Sequence, residues 1–117
     1  MKCVQMKLDL LRDKLGFRPL VILEDRTIDI CSVYAGDRMS DLLAAASGST
    51  LLVTHLTNHG IVRLIDLMDV PALCFLNGVH PDQDVLYSAK ENETFLFTSP
   101  YDMYETCGRL FQLLNQH

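Results

Sequence analysis

Thr50-Leu51-Leu52-Val53-Thr54 is a short run that is apolar on both alternating faces and closed at each end by threonine. A strand apolar on both faces is buried on both, the condition of a parallel sheet covered by helices above and below. The pattern recurs in Ala72-Leu73-Cys74-Phe75-Leu76 and in Thr94-Phe95-Leu96-Phe97-Thr98. Helical stripes separate these runs. Met39, Leu42, Leu43 and Ala46 share one face, with Asp37 or Ser40 available as cap and Ser47-Gly48-Ser49 as stop. Ile61, Leu64, Ile65 and Met68 form the next stripe behind a candidate cap at Asn58. Val85, Leu86 and Ala89 form a third, after Pro81. The last helix reads from Ser99 as cap and Pro100 as its first residue, with Asp102 in the first turn and Met103, Cys107, Leu110 and Leu114 facing inward. From Met39 onward, helices and strands alternate. That order implies parallel strands joined by right-handed crossovers.

Toward the N-terminus, Val4, Leu8, Leu11 and Leu15 predict a first helix ended by Gly16. Pro19 opens the apolar run Leu20-Val21-Ile22-Leu23, and Glu24-Asp25-Arg26 is a charged turn. Thr27 to Tyr34 reads as one strand carrying Ile28, Ile30 and Val33, closed by Ala35-Gly36-Asp37. There is no linker, low-complexity segment or internal repeat. Residues 1–117 are therefore expected to form a single three-layer α/β/α domain with a mainly parallel sheet.

The composition excludes several classes of function. Ten basic against fifteen acidic residues give a net charge of −5, which argues against nucleic-acid and anionic-membrane partners. Leu42 to Val62 carries no charge, but Ser47-Gly48-Ser49-Thr50, His55, Asn58 and His59 make it unfit to span a membrane. Lys7, Asp9, Arg12 and Asp13 interrupt any signal-peptide core. Cys3, Cys31, Cys74 and Cys107 form no CxxC pair and read as buried, reduced thiols of a cytoplasmic protein.

In a parallel sheet, ligands bind at the carboxyl ends of the strands. Thr54 to Gly60, Asn77 to Pro81 and Thr98 to Asp102 fall there. Their candidate ligand-binding residues are Thr54, Thr57, Asn58, Asn77, Gly78 and Ser99, beside helix N-termini whose free N–H groups suit a carboxylate or phosphate. Capping alone also explains Asn58 and Ser99. His55 and His59 are four apart, but a strand-to-helix junction separates them and no acid or thiol stands at a fixed short offset, so no metal site is expected. There is no G-x-S-x-G and no local cysteine signature, so no catalytic residue is assigned. Ser47-Gly48-Ser49-Thr50 precedes a strand rather than a helix, the wrong polarity for a phosphate cradle. No cofactor is expected.

Several segments together resemble DRTGG-domain proteins. Tyr34-Ala35-Gly36-Asp37-Arg38-Met39-Ser40-Asp41-Leu42-Leu43 is similar to the segment around that family's second strand. Leu52-Val53-Thr54-His55-Leu56-Thr57 resembles the third strand and its threonine-bearing end. Asn77-Gly78-Val79-His80-Pro81-Asp82 resembles the Asn-Gly-x-x-Pro-Asp turn, and Thr98-Ser99-Pro100-Tyr101-Asp102 with Gly108-Arg109-Leu110 the closing helix. Asp25-Arg26-Thr27 echoes the start of the family's name, but Ile28-Asp29 replace the glycines, and His55 and Asn58-His59 also depart from the pattern. The likeness covers residues 3–115. It implies a fold like the N-terminal domain of HPr kinase. It also implies a regulatory or assembly role without catalysis, as in relatives joined to CBS pairs, phosphotransacetylases or dethiobiotin-synthetase-like domains.

Two functional readings follow. The first is a non-catalytic cytoplasmic regulatory or scaffold module that acts by homodimerisation and by association with a protein partner in a regulatory or metabolic complex. A hydrophobic fraction of 49% leaves apolar surface for a second copy to cover, with the first helix and Met39 to Ala46 as the first suspects. The alternative is a sensor that binds a nucleotide or phosphorylated metabolite at the strand ends. Against it, Arg38, Arg63 and Arg109 are scattered rather than clustered.

Overall fold

The computed structural model describes residues 3–7, 10–21, 23 and 27–115. Leu8, Ile22 and the Glu24-Asp25-Arg26 turn, with the Asp25-Arg26 of the family resemblance, lie outside the described residues. The chain runs β1 (Val4–Met6), a π-helical turn (Leu10–Leu15), β2 (Arg18–Val21), β3 (Ile28–Ile30), β4 (Ser32–Ala35), α1 (Met39–Ala45), β5 (Thr50–Val53), α2 (His59–Leu67), β6 (Ala72–Phe75), α3 (Gln83–Glu91), β7 (Phe95–Thr98) and α4 (Met103–Leu114).

The main sheet has five strands in the order β2-β7-β6-β5-β4. Strands β4 to β7 are parallel, and β2 pairs antiparallel with β7. β5, β6 and β7 are buried along their whole length, as their two-faced apolar sequence requires. Leu51, Val53, Cys74, Phe95 and Phe97 pack into one layer with Leu110 and Leu113 of α4. Leu52, Leu73, Phe75 and Leu96 pack into the other with α1, α2 and α3, through Leu42, Ile61, Leu64 and Val85. Full burial of each such side chain contributes roughly 1.5–3 kcal/mol. The expected α/β/α architecture with a mainly parallel sheet is thus the one observed.

The two sheet edges differ. β2 carries Pro19 and a bulge between Pro19 and Val21. β4 pairs on one side only, and all four of its residues are half-buried.

The N-terminal part departs from the sequence expectation. Val4 belongs to a strand, and the helical turn begins only at Leu10. Val4 and Met6 are buried and flank exposed Gln5, a period of two, because they pair with Ile30 and Ile28 in a separate antiparallel ribbon. Leu11 and Leu15 are buried as expected, and Gly16 follows with φ of 75°. The predicted strand Thr27–Tyr34 is two strands in two sheets, divided at Cys31. That division also corrects the cysteine reading. The β1–β3 register, Val4 opposite Ile30, places residues 3 and 31 next in line, and they form a disulfide. Cys74 is a buried free thiol, while Cys107 is free and half-buried.

Two helix starts are also corrected. The residue before α1 is Arg38, which makes no side-chain cap; of the two expected caps, Asp37 spends its carboxylate on Thr54 and His55, and Ser40 lies inside the helix. α4 starts at Met103, capped by Asp102 through Glu105 N–H, three residues past the predicted cap at Ser99. Its buried stripe is Thr106, Leu110 and Leu113, with Met103, Cys107 and Leu114 on the flank. Among the described residues no helix is long and apolar enough to cross a membrane.

Candidate functional site

The carboxyl ends of β4 to β7 open into four loops. The first two are tied by a carboxylate. Ala35 of β4 stands opposite Val53 of β5, so Asp37 and His55, each two residues further on, face one another. Asp37 Oδ1 accepts from Thr54 Oγ1 at 3.1 Å and from His55 N–H at 2.7 Å, and Oδ2 lies 2.8 Å from His55 Nδ1. Burial alone would raise the Asp37 carboxyl. The hydrogen bonds from His55 and Thr54, with the His55 charge, outweigh it and hold the group below the ordinary carboxylate range. Thr54 Oγ1 also accepts from Leu56 N–H at 3.2 Å, so this buried hydroxyl both donates and accepts within the protein.

The next loops are tied by backbone. Asn77 and Gly78 both adopt left-handed φ, 56° and 67°, a conformation suited to an Asn-Gly pair. Their turn lets Asn77 N–H donate to Tyr101 O at 2.9 Å and Gly78 N–H to Ser99 O at 2.7 Å. Ser99 is buried; its hydroxyl lies 2.7 Å from Thr106 Oγ1 and accepts from Tyr101 N–H. Asn58 caps α2 by accepting from Gly60 N–H at 3.0 Å, and half-buried Thr57 accepts Asp82 N–H through its carbonyl at 3.5 Å. His59 Nδ1 lies 3.1 Å from Asp84 Oδ2, linking the starts of α2 and α3.

Six candidate residues therefore fall into two groups. Thr54, Thr57 and Asn58 shape the loop after β5, and Asn77, Gly78 and Ser99 zip the β6 and β7 loops together. The Asp37–His55 pair was missed in the sequence, although the parallel pairing of β4 with β5 would have pointed to it. A further unassigned feature is the Thr98 hydroxyl at the end of β7, which is buried without a hydrogen-bond partner among the described residues. Among the described residues no three of His, Cys, Asp and Glu gather as a metal site would need.

A second feature lies on the other layer. A groove of about 780 Å³ runs along α4 beside the open edge of β4, with Ala35, Tyr104, Cys107, Gly108 and Phe111 in its walls. It continues into a smaller groove of about 240 Å³ bordered by Val33 and Leu114. Tyr104 is 89% exposed and Phe111 68% exposed. Gly108 sits between them in mid-helix, and a Cβ there would meet nothing within 4 Å. Nothing in the described chain therefore requires a glycine, which costs a helix about 0.5–1 kcal/mol relative to alanine. Glu105 and Arg109 pair at 2.8 Å, and the Arg109 guanidinium lies 4.0 Å from the Tyr101 ring centre, so the charges of α4 cancel.

No protein-family model and no curated protein matches this sequence. A solved structure does. The crystal structure of the CBS and DRTGG domains of the regulatory region of Clostridium perfringens pyrophosphatase, complexed with the activator diadenosine tetraphosphate, superposes with a TM-score of 0.76 at 22% identity. The match covers 90% of this chain and 46% of that one, so this chain spans under half of the crystallised regulatory region it matches. The fold is DRTGG-like, as the sequence resemblance implied.

Proposed function

We propose that this domain of DRTGG-like fold is a non-catalytic cytoplasmic regulatory module that acts by pairing with a second copy of itself. The observation that carries the reading is the exposed aromatic stripe on α4 with an otherwise unexplained glycine at its centre. A two-fold axis crossing α4 between Cys107 and Gly108 sets Tyr104 against Phe111 of the second copy, twice over, while Gly108 allows the helices to approach closely. α4 carries no net charge in a chain of −5, so two copies meet there without repulsion. Four aromatic side chains of this exposure contribute roughly 500–800 Å² of buried surface, against about 1,200–2,000 Å² in a stable interface. The open edge of β4 has to supply the rest. Neither α1 nor the first helical turn, the faces suspected from sequence, holds a large exposed apolar side chain among the described residues.

Sedimentation velocity across micromolar concentrations tests the reading. The expected result is a dimer that Phe111→Asp converts to a monomer with an unchanged far-ultraviolet spectrum and with a melting temperature that no longer rises with protein concentration. A wild-type chain that stays monomeric up to millimolar concentration, or a dimer indifferent to Phe111→Asp, overturns it.

A second reading, sensing of a nucleotide or phosphorylated metabolite at the strand ends, is favoured by the orphaned Thr98 hydroxyl. A buried polar atom without a partner is a cost that a ligand group can relieve. Exposed Asn58, Asn77 and Gly78 and half-buried Thr57 are the candidates such a ligand would meet first, with buried Thr54 and Ser99 behind them. Thermal shift against a nucleotide series tests it: stabilisation abolished by Asn77→Ala supports it, and no shift by any of them at millimolar concentration removes it.

A further inference from the structure

We infer that Cys3 and Cys31 form a reversible thiol–disulfide exchange site, opened by a dithiol and reclosed by a small disulfide while the fold stands. The bond lies at the end of the β1–β3 ribbon, one residue beyond the Val4–Ile30 pair. Cys3 is exposed and Cys31 half-buried, so an attacking thiolate has access from solvent. The other two cysteines are poor competitors. Cys74 is fully buried and burial pushes its thiol far above the ordinary range, and burial also raises the thiol of Cys107.

The ribbon does not depend on the bond alone. Three residue pairs hold β1 to β3, Val4, Met6 and Ile30 are buried in the core, and Gln5 Nε2 donates to Thr27 Oγ1 at 3.1 Å. Beyond the bond, Cys31 N–H donates to Ser49 O at 2.8 Å, fixing that cysteine to the main domain. These contacts keep the two sulfurs facing each other after reduction, so reclosure is favoured by proximity.

A thiolate of the dithiol attacks one sulfur, and the Cys3–Cys31 bond breaks with its electron pair on the other sulfur, which takes a proton. The second thiol of the reagent then displaces the remaining cysteine and leaves as a cyclic disulfide. Oxidised glutathione reverses the sequence, its two halves departing as thiols.

The full chain, without denaturant, is treated with dithiothreitol, alkylated and mapped by peptide mass. The expected result is loss of the bond, with one label on each of Cys3 and Cys31 and none on Cys74, and an unchanged far-ultraviolet spectrum. Oxidised glutathione added before alkylation should restore the bond. The double variant Cys3→Ser, Cys31→Ser should fold and melt at the temperature of the reduced wild type. A bond that opens only in urea, a fold lost on reduction or in the double variant, or thiols that do not reclose overturns the inference. None of these readouts involves self-association, so the result stands apart from the dimer reading.

Discussion

The parallel region from β4 to α4 and the N-terminal region from β1 to β3 are held together in different ways. In the first, β5, β6 and β7 are buried on both faces, and strands that are neighbours in space are neighbours in sequence. In the second, β1 pairs with β3 across the π-helical turn and β2, and β2 crosses to the far edge to pair with β7. The first region rests on two-sided apolar burial, the second on long-range pairing and one covalent bond. A chain can therefore have one region whose structure is written locally and another whose structure is decided by distant partners.

The two regions share one core, and the largest effect belongs there. Phe75→Ala, in the middle of the sheet, should remove about 3–5 kcal/mol and unfold both regions together in a urea titration. A transition in which the N-terminal ribbon survived would show the regions to be independent. Next in size is the disulfide, which joins residues 28 apart. Its loss should lower stability by about 3–4 kcal/mol, read as a shift of the urea midpoint. Amide exchange should rise first in β1 and β3 and hardly at all in β5 to β7.

A smaller effect belongs to Asp37. Its carboxyl is held below the ordinary range in the folded chain, so its contribution is complete above the unfolded value of about 3.9 and is lost as pH falls through the folded one. The group is half-exposed, which keeps the effect to no more than about 1 kcal/mol. Melting curves of wild type and Asp37→Asn should differ near neutral pH and converge in acid. Gly108→Ala should be smallest, stabilising the isolated chain by about 0.5–1 kcal/mol while weakening any dimer built on α4. Equal or tighter dimerisation would show that the glycine is not a contact point.

Most of the parallel region was legible. Three doubly apolar runs became β5, β6 and β7, and the caps and stripes between them became α2 and α3. The start of α4 was misread because Ser99-Pro100 has the form of a helix start, whereas Ser99 turns inward to Thr106 and leaves Asp102 to cap. Val4 was drawn into a helix because Leu11 and Leu15 lie at helical spacing from it. Only Ile28 and Ile30, more than twenty residues away, give it a period of two. The Asp37–His55 pair depended on knowing which strands are neighbours and in what register, which spacing along the chain does not carry.

The unlike rims of the sheet bear on how far assembly can go. Pro19 offers no N–H to an incoming strand, and the bulge beside it twists β2 away from one, so that side is closed to extension. Two chains joined along β4 would both turn their proline-guarded rims outward. The assembly would then stop at a pair instead of running on into a filament, and a crowded solution of this protein should stay clear.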